Sequence, residues 1–351
     1  MNSLINIINP SAMVFDKNIA PTKKVEQIAR VCYKSEDKIG DMTDCKMIAA
    51  LLKNDHTAMI EHASLCIAVR KDFYFYMMDM VKVLEEYGFV NRNDNKKTYK
   101  SYLRFSCIKS YLISGNMRAW REFFQATIEM IRGFHNVPFP AELFEAIENT
   151  EYGIFLTELD PSTVSGINIK AFSYKRPCSI MILRQYLDDF DEYLTDQEKL
   201  IHTDVSAKFI CDRGVTHEIV RHRDASFAQE STRYCNYSND KFGKQLTVIR
   251  PCFFVNNDVA MNMWMKSMEE AAEAYFALIN IGGCTPQEAR DVLPNSIKTE
   301  ITMTANLREW IHFFNLRYFG TTGTPHPQMK EVAEIVYNEM KSLYPILDKE
   351  K

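Results

Sequence analysis

Along the chain, short runs alternate between apolar and polar positions at a period of two, and longer runs repeat at helical spacing. The segments SLCIAVR (64–70), VSAKFIC (205–211) and IKTEITMTA (297–305) read as strands, and residues 4–8 form an apolar start. Helical spacing marks KKVEQIARVCYKS, TDCKMIAALLKND, DFYFYMMDMVKVLEEYGF, YLISGNMRAWREFFQATIEMIRGF, DVAMNMWMKSMEEAAEAYFALINIGG and MKEVAEIVYNEMKSLY. The punctuation agrees: Gly282 and Gly283 stop one helix, and Thr285, Pro286 and Glu288 form a capping box that starts the next, which carries Arg290 and stops at Pro294. Asn306 caps LREWIHFFNLRYF, and Gly320 ends it.

This order of elements predicts an α+β fold with a central twisted sheet flanked by long helices. The organisation expected is one domain over residues 1–351, with residues 71–204 as a mostly helical insertion. Within that insertion NRNDNKK (91–97) reads as a break and ELDPSTVSGINIK (158–170) as an irregular connection. One internal echo stands out: GNMRAWREFF (115–124) and ANLREWIHFF (305–314) share Asn, Arg, Trp, Phe and Phe in register.

Composition narrows the class of protein. The 351 residues are 46% hydrophobic and 25% charged, which suits a globular core and excludes a disordered or collagen-like chain. No apolar run reaches the roughly 20 residues that a membrane helix needs. The N-terminus also lacks a basic start and a cleavage site, so a cytoplasmic location is expected. Nine cysteines stand apart with no C-x-x-C pair, which fits free thiols. A net charge of -4 gives no field to hold a nucleic-acid backbone.

Against that acidic balance, RHRDASFAQESTRY (221–234) concentrates Arg221, Arg223 and Arg233 with Ser226 and Ser231 in a stretch expected to lie where a short helix gives way to a loop. Guanidinium forks match phosphate oxygens and hydroxyls donate to the remaining lone pairs, so the stretch suits a phosphate monoester. A surface lattice with Asp224 and Glu230 is the structural alternative. HEIVRH is not a zinc-protease helix: Arg221 stands where the second histidine is required, and His222 comes one residue late. No metal is expected. Cys235 is a candidate nucleophile and equally a packing residue. The Met-rich helix reads as core or subunit interface.

The spacing Arg-His-Arg, two residues, Ser, four residues, Ser, one residue, Arg resembles the signature of the flavin-dependent thymidylate synthases. The resemblance extends to RGVTHEIVRHR, to Arg290 in ARDVLP, Asn306 and Arg308, Arg317 in FNLRYF, His326 and Gln328 in HPQMKEVA, and the N-terminal HTAMIEH. It covers residues 20–70 and 205–345, and the block between fits only long members of the family. It implies reductive methylation of dUMP to dTMP, with methylenetetrahydrofolate as carbon donor and FAD carrying hydride from NADPH. It also implies a homotetramer with sites where subunits meet. Arg317 would be the catalytic polariser of the uracil. Glu218, Arg221, Gln229, Glu230, Ser231, Arg233, Arg290 and Arg317 would hold dUMP. His56, Ala58, Glu61, Arg221, His222, Arg223, Gln229, Asn306, Arg308 and His312 would hold FAD.

Departures from the family pattern fall at Ala228 and Gln229, where Asn-Glu is usual, at Ala58, where a hydroxyl is common, and at His312, where an amide is common. Two other readings compete. One is a non-catalytic nucleotide- or RNA-binding protein, which the acidic balance and the lack of interleaved aromatic residues oppose. The other is one-carbon transfer to a different pyrimidine nucleotide.

Overall fold

The computed structural model describes residues 3–87, 103–133, 139–161, 180–185, 190 and 193–349. The expected break at 91–97 and most of the irregular connection at 158–170 lie outside the described residues. The described strands are β1 (Ile5–Ile8), β2 (Ser11–Val14), β3 (Ser64–Val69), β4 (Arg104–Ser106), β5 (Tyr111–Asn116), β6 (Met181–Leu183), β7 (Asp204–Asp212), β8 (Ala225–Gln229), β9 (Leu246–Ile249) and β10 (Lys298–Asn306). The class is α+β, but the sheet is not single. One four-stranded sheet runs β2-β7-β10-β8, another runs β4-β5-β3-β6, and β1 pairs in parallel with β9.

Contacts divide the chain into two compact units: residues 1–15, 28–38 and 205–351, and residues 16–27 and 39–204. In the first unit the helix Leu307–Phe314 buries Leu307, Trp310, Phe313 and Phe314, a stripe at helical spacing that leaves Arg308 exposed. Trp310 stacks on Phe209 of β7 and donates its indole N–H to the Val205 carbonyl at 3.0 Å. The helix Pro327–Leu343 lies on β2, where Glu339 accepts from the Val14 amide at 2.9 Å. The long helix Asp258–Asn280 buries Met268, Ala272 and Tyr275 and exposes Val259 and Met263.

The second unit corrects one expectation. The stretch YLISGN, expected to begin a helix, is strand: β4, β5 and β6 form a sheet with β3. Four consecutive residues of β5, 112–115, are buried, and a strand covered on both faces loses the period of two that would separate it from a buried helix.

The sequence echo becomes a repeated scaffold. Asn116 ends β5 and caps the Ala119 amide at 2.8 Å, while Asn306 ends β10 and caps the Glu309 amide at 2.9 Å. Four residues after each cap stands a fully buried tryptophan, Trp120 or Trp310, and each donates to a carbonyl at the start of a neighbouring strand, Leu65 in β3 or Val205 in β7. Three residues before each of those carbonyls lies a buried histidine, His62 or His202.

Candidate functional site

In the first unit, the arginine stretch is anchored at both ends. Asp212 caps the helix Arg213–Ile219 by accepting from the Val215 amide at 2.9 Å, and that helix carries Glu218. The stretch then folds back as β8, antiparallel to β10, with Gln229 opposite Ile301. The sequence reading had a loop here. Phe227 and Ala228 take alternate faces of a strand whose polar neighbours masked the period.

Arg317 lies on the π-helical turn Asn315–Phe319 that extends the helix Leu307–Phe314. Gly320 ends the turn at φ 72°, where a Cβ would meet Pro325 at 2.8 Å and the Gly323 carbonyl at 2.9 Å. The guanidinium is held at three points: Nη1 donates to Glu218 Oε2 at 2.7 Å, Nη2 to the Glu218 carbonyl at 3.1 Å, and Nε to His222 Nε2 at 3.3 Å. Because Nε2 of His222 accepts, its ring proton sits on Nδ1, which faces Glu309 Oε1 at 3.0 Å. His312 stands beside the same ring, with centroids 5.6 Å apart.

His222, Glu309 and His312 offer ligand atoms within 4.8 Å of one another. Two features oppose a cation there: His222 Nδ1 needs its proton for Glu309, and the Arg317 charge sits against the other ring nitrogen. The group reads as a relay that orients Arg317. Two further motif residues join it, since His326 Nδ1 lies 3.9 Å from Glu218 and Gln328 donates to Asp212 at 3.0 Å. Burial raises the Asp212 carboxyl pKa, against the amide of Val215 that lowers it.

A second cluster surrounds Arg233, which is exposed and donates from Nε to Gln287 at 2.9 Å, three residues before the exposed Arg290. Ser231 Oγ accepts from the Arg233 amide at 3.3 Å. Gln229 points to hydroxyls, Thr216 at 3.2 Å and Thr299 at 3.4 Å. Arg221, Arg223 and Arg308 are exposed. His56, Ala58 and Glu61 belong to the second unit: Ala58 and Glu61 lie on the 3-10 turn Thr57–His62, His56 immediately precedes it, and Glu61 accepts from Arg118 at 2.7 Å.

Glu230 does not face outward with Arg221, Arg223 and Arg233. Its side chain is 1% exposed and accepts from Lys298 at 2.9 Å. Cys235 is buried as well, and burial followed by the charge of Glu230 pushes its thiol up to about 12. Sequence reading missed Glu309 and Lys298. Glu309 had one signal, its place three residues after the Asn306 cap, whereas Lys298 lies in an ordinary strand.

Residues 195–346 match the family described as thymidylate synthase complementing protein. The family segment holds Glu218, the arginine stretch, Arg290, Asn306, Arg308, His312, Arg317 and the His326–Gln328 motif. A flavin-dependent thymidylate synthase from Geobacter sulfurreducens is 38% identical over 105 residues, 30% of this chain and 43% of that protein. Another from Pyrococcus furiosus is 39% identical over 107 residues, with the same coverage. The chain thus spans less than half the length of these relatives. Among solved structures, a UMP/dUMP methylase from Streptomyces cacaoi bound with 5-Br dUMP is similar over 42% of this chain and 70% of its own, at 21% identity and a TM-score of 0.37. No helix among the described residues is long and apolar enough to cross a membrane.

Proposed function

We propose that the chain methylates dUMP reductively to dTMP, with methylenetetrahydrofolate as carbon donor and hydride passed from NADPH through FAD. One observation carries this reading: within the family segment, Arg317 is fixed at three points by Glu218 and His222, next in sequence to the arginine stretch.

The carbon of uracil that accepts a methyl group is a weak nucleophile. A fixed cation at the ring carbonyl and imide stabilises the negative charge that develops there, which lowers the barrier electrostatically. Arginine stays protonated at neutral pH, so Arg317 polarises and does not carry a proton. The neutral His222, with its proton directed to Glu309, keeps the guanidinium in one orientation. Ser231, Arg233 and Arg290 take the nucleotide phosphate, with Arg221, Glu218 and Gln229 alongside.

The residues present fit FAD. Arg221, Arg223 and Arg308 are exposed guanidiniums that suit its pyrophosphate, and His222 and His312 present adjacent rings. Asn306, Gln229, His56, Ala58 and Glu61 complete the set that the family resemblance implies. When bound, the flavin supplies the hydride, and the protein contributes orientation and charge. In the homotetramer that belongs to this reading, different subunits serve one site.

The test is tritium release from dUMP labelled on the carbon that receives the methyl group, with methylenetetrahydrofolate and FAD present. Release that requires NADPH supports the proposal. No release from folded protein overturns it.

A further inference from the structure

Behind the arginine stretch, in the first unit, lies a cluster of charges that the proposed chemistry does not use. Glu230 and Glu300 come from adjacent strand ends, and the Glu230 amide donates to the Glu300 carbonyl at 2.8 Å. Two carboxylates so close repel each other, and both are largely withdrawn from water, with side chains 1% and 11% exposed. Three lysines resolve the conflict. Lys298 reaches Glu230 at 2.9 Å and Glu300 at 2.5 Å, Lys34 bonds Glu300 and lies 3.4 Å from Glu230, and Lys208 lies 3.4 Å from Glu300.

The electrostatics agree with the geometry. Burial alone would raise the Glu300 carboxyl, but Lys298 and Lys34 outweigh it and hold it down to about 2. Burial would lower the Lys34 ammonium, but Glu230 and Glu300 reverse the sign and raise it. Glu300 and Lys34 are therefore both charged at neutral pH.

The cluster acts on the backbone of the stretch. Lys34 lies in a left-handed conformation, φ 49°, and two residues earlier the Cys32 carbonyl accepts the Ser231 amide at 3.3 Å. Lys34 thus pulls Glu230 inward while its own segment holds the next residue by the main chain. With residue 230 fixed inward, Ser231 and Arg233 are set at the surface. We propose that Lys34, Lys298 and Glu300 are positioning residues for the nucleotide phosphate, and that Glu230 acts as their buried anchor instead of touching the substrate. The phosphate assignment rests on the function proposed above; the anchoring does not.

The experiment compares the full chain with Lys34→Met, Lys34→Arg and Lys298→Met, using two readouts. Trypsin under native conditions cuts after Arg221, Arg223 and Arg233 at a rate set by how often the stretch opens. Calorimetry gives the affinity for dUMP. Lys34→Met should speed cleavage in 221–233 several-fold over cleavage elsewhere and weaken dUMP binding about tenfold or more, and Lys34→Arg should restore both. Lys298→Met should act in the same direction, and it keeps the question open to measurement if Lys34→Met does not fold.

Unchanged cleavage and unchanged affinity in the folded variants would overturn the proposal. So would a uniform rise in cleavage along the chain, which marks general loosening. If cleavage responds as expected but the unaltered protein binds no dUMP, the anchoring stands and the proposed function falls.

Discussion

At the scale of the residue, the clearest feature is that Arg317 is held by partners that leave it charged and oriented. Replacing it with Ala removes the fork and should cut turnover by about 100-fold or more, with FAD binding, read from the flavin absorbance, retained. A variant that loses FAD as well would give Arg317 a structural role; one with normal turnover would remove it from the mechanism. Cys235 gives the opposite case. Its thiol is pushed up to about 12, so the thiolate is scarce at neutral pH, and it packs in a cluster with Tyr237, Tyr275 and Leu246. Cys235→Ala should keep its turnover and lose a little thermal stability. A folded variant that binds dUMP and FAD but turns nothing over would restore the thiol to the chemistry.

At the scale of the element, caps and periods were legible where side chains act on their own backbone. Asn306, Thr285 with Glu288, and Gly320 all stand where the sequence reading put them, because a cap is a local bond between residues a few positions apart. What escaped was non-local. β8 and the lysine cluster behind it depend on β10 and on residues 32–34, about two hundred positions upstream of the motif. No spacing rule reaches that far. The paired scaffolds offer an internal control: Asn116→Ala and Asn306→Ala each remove one cap bond and should each cost ~1 kcal/mol of stability. Only Asn306 sits among the proposed flavin residues, so only its loss should also weaken FAD binding in a fluorescence titration. Equal weakening by both would break that assignment.

At the scale of the whole molecule, the second unit sets a dependence of stability on pH. His62 and His202 are fully buried, and His202 bridges Ser114 at 2.7 Å and Ser106 at 2.8 Å. Burial lowers the His202 pKa to about 4, helped by Arg104 and opposed by Asp204 and Glu198, and burial with Lys24 lowers that of His62 to about 3. Both rings are neutral when folded and take a proton near pH 6.5 when unfolded. Between those values the unfolded chain binds more protons, so stability is full above pH 6.5 and falls as pH drops toward 4. Glu300, held down to about 2, adds its loss only below its ordinary value of 4.5. The window from pH 6.5 to 5 therefore belongs to the histidines among these groups. Melting temperature measured from pH 8 to pH 5 should stay level and then decline, and His202→Asn should start lower but decline less steeply through that window. An identical slope in the variant would mean that His202 is already protonated in the folded chain.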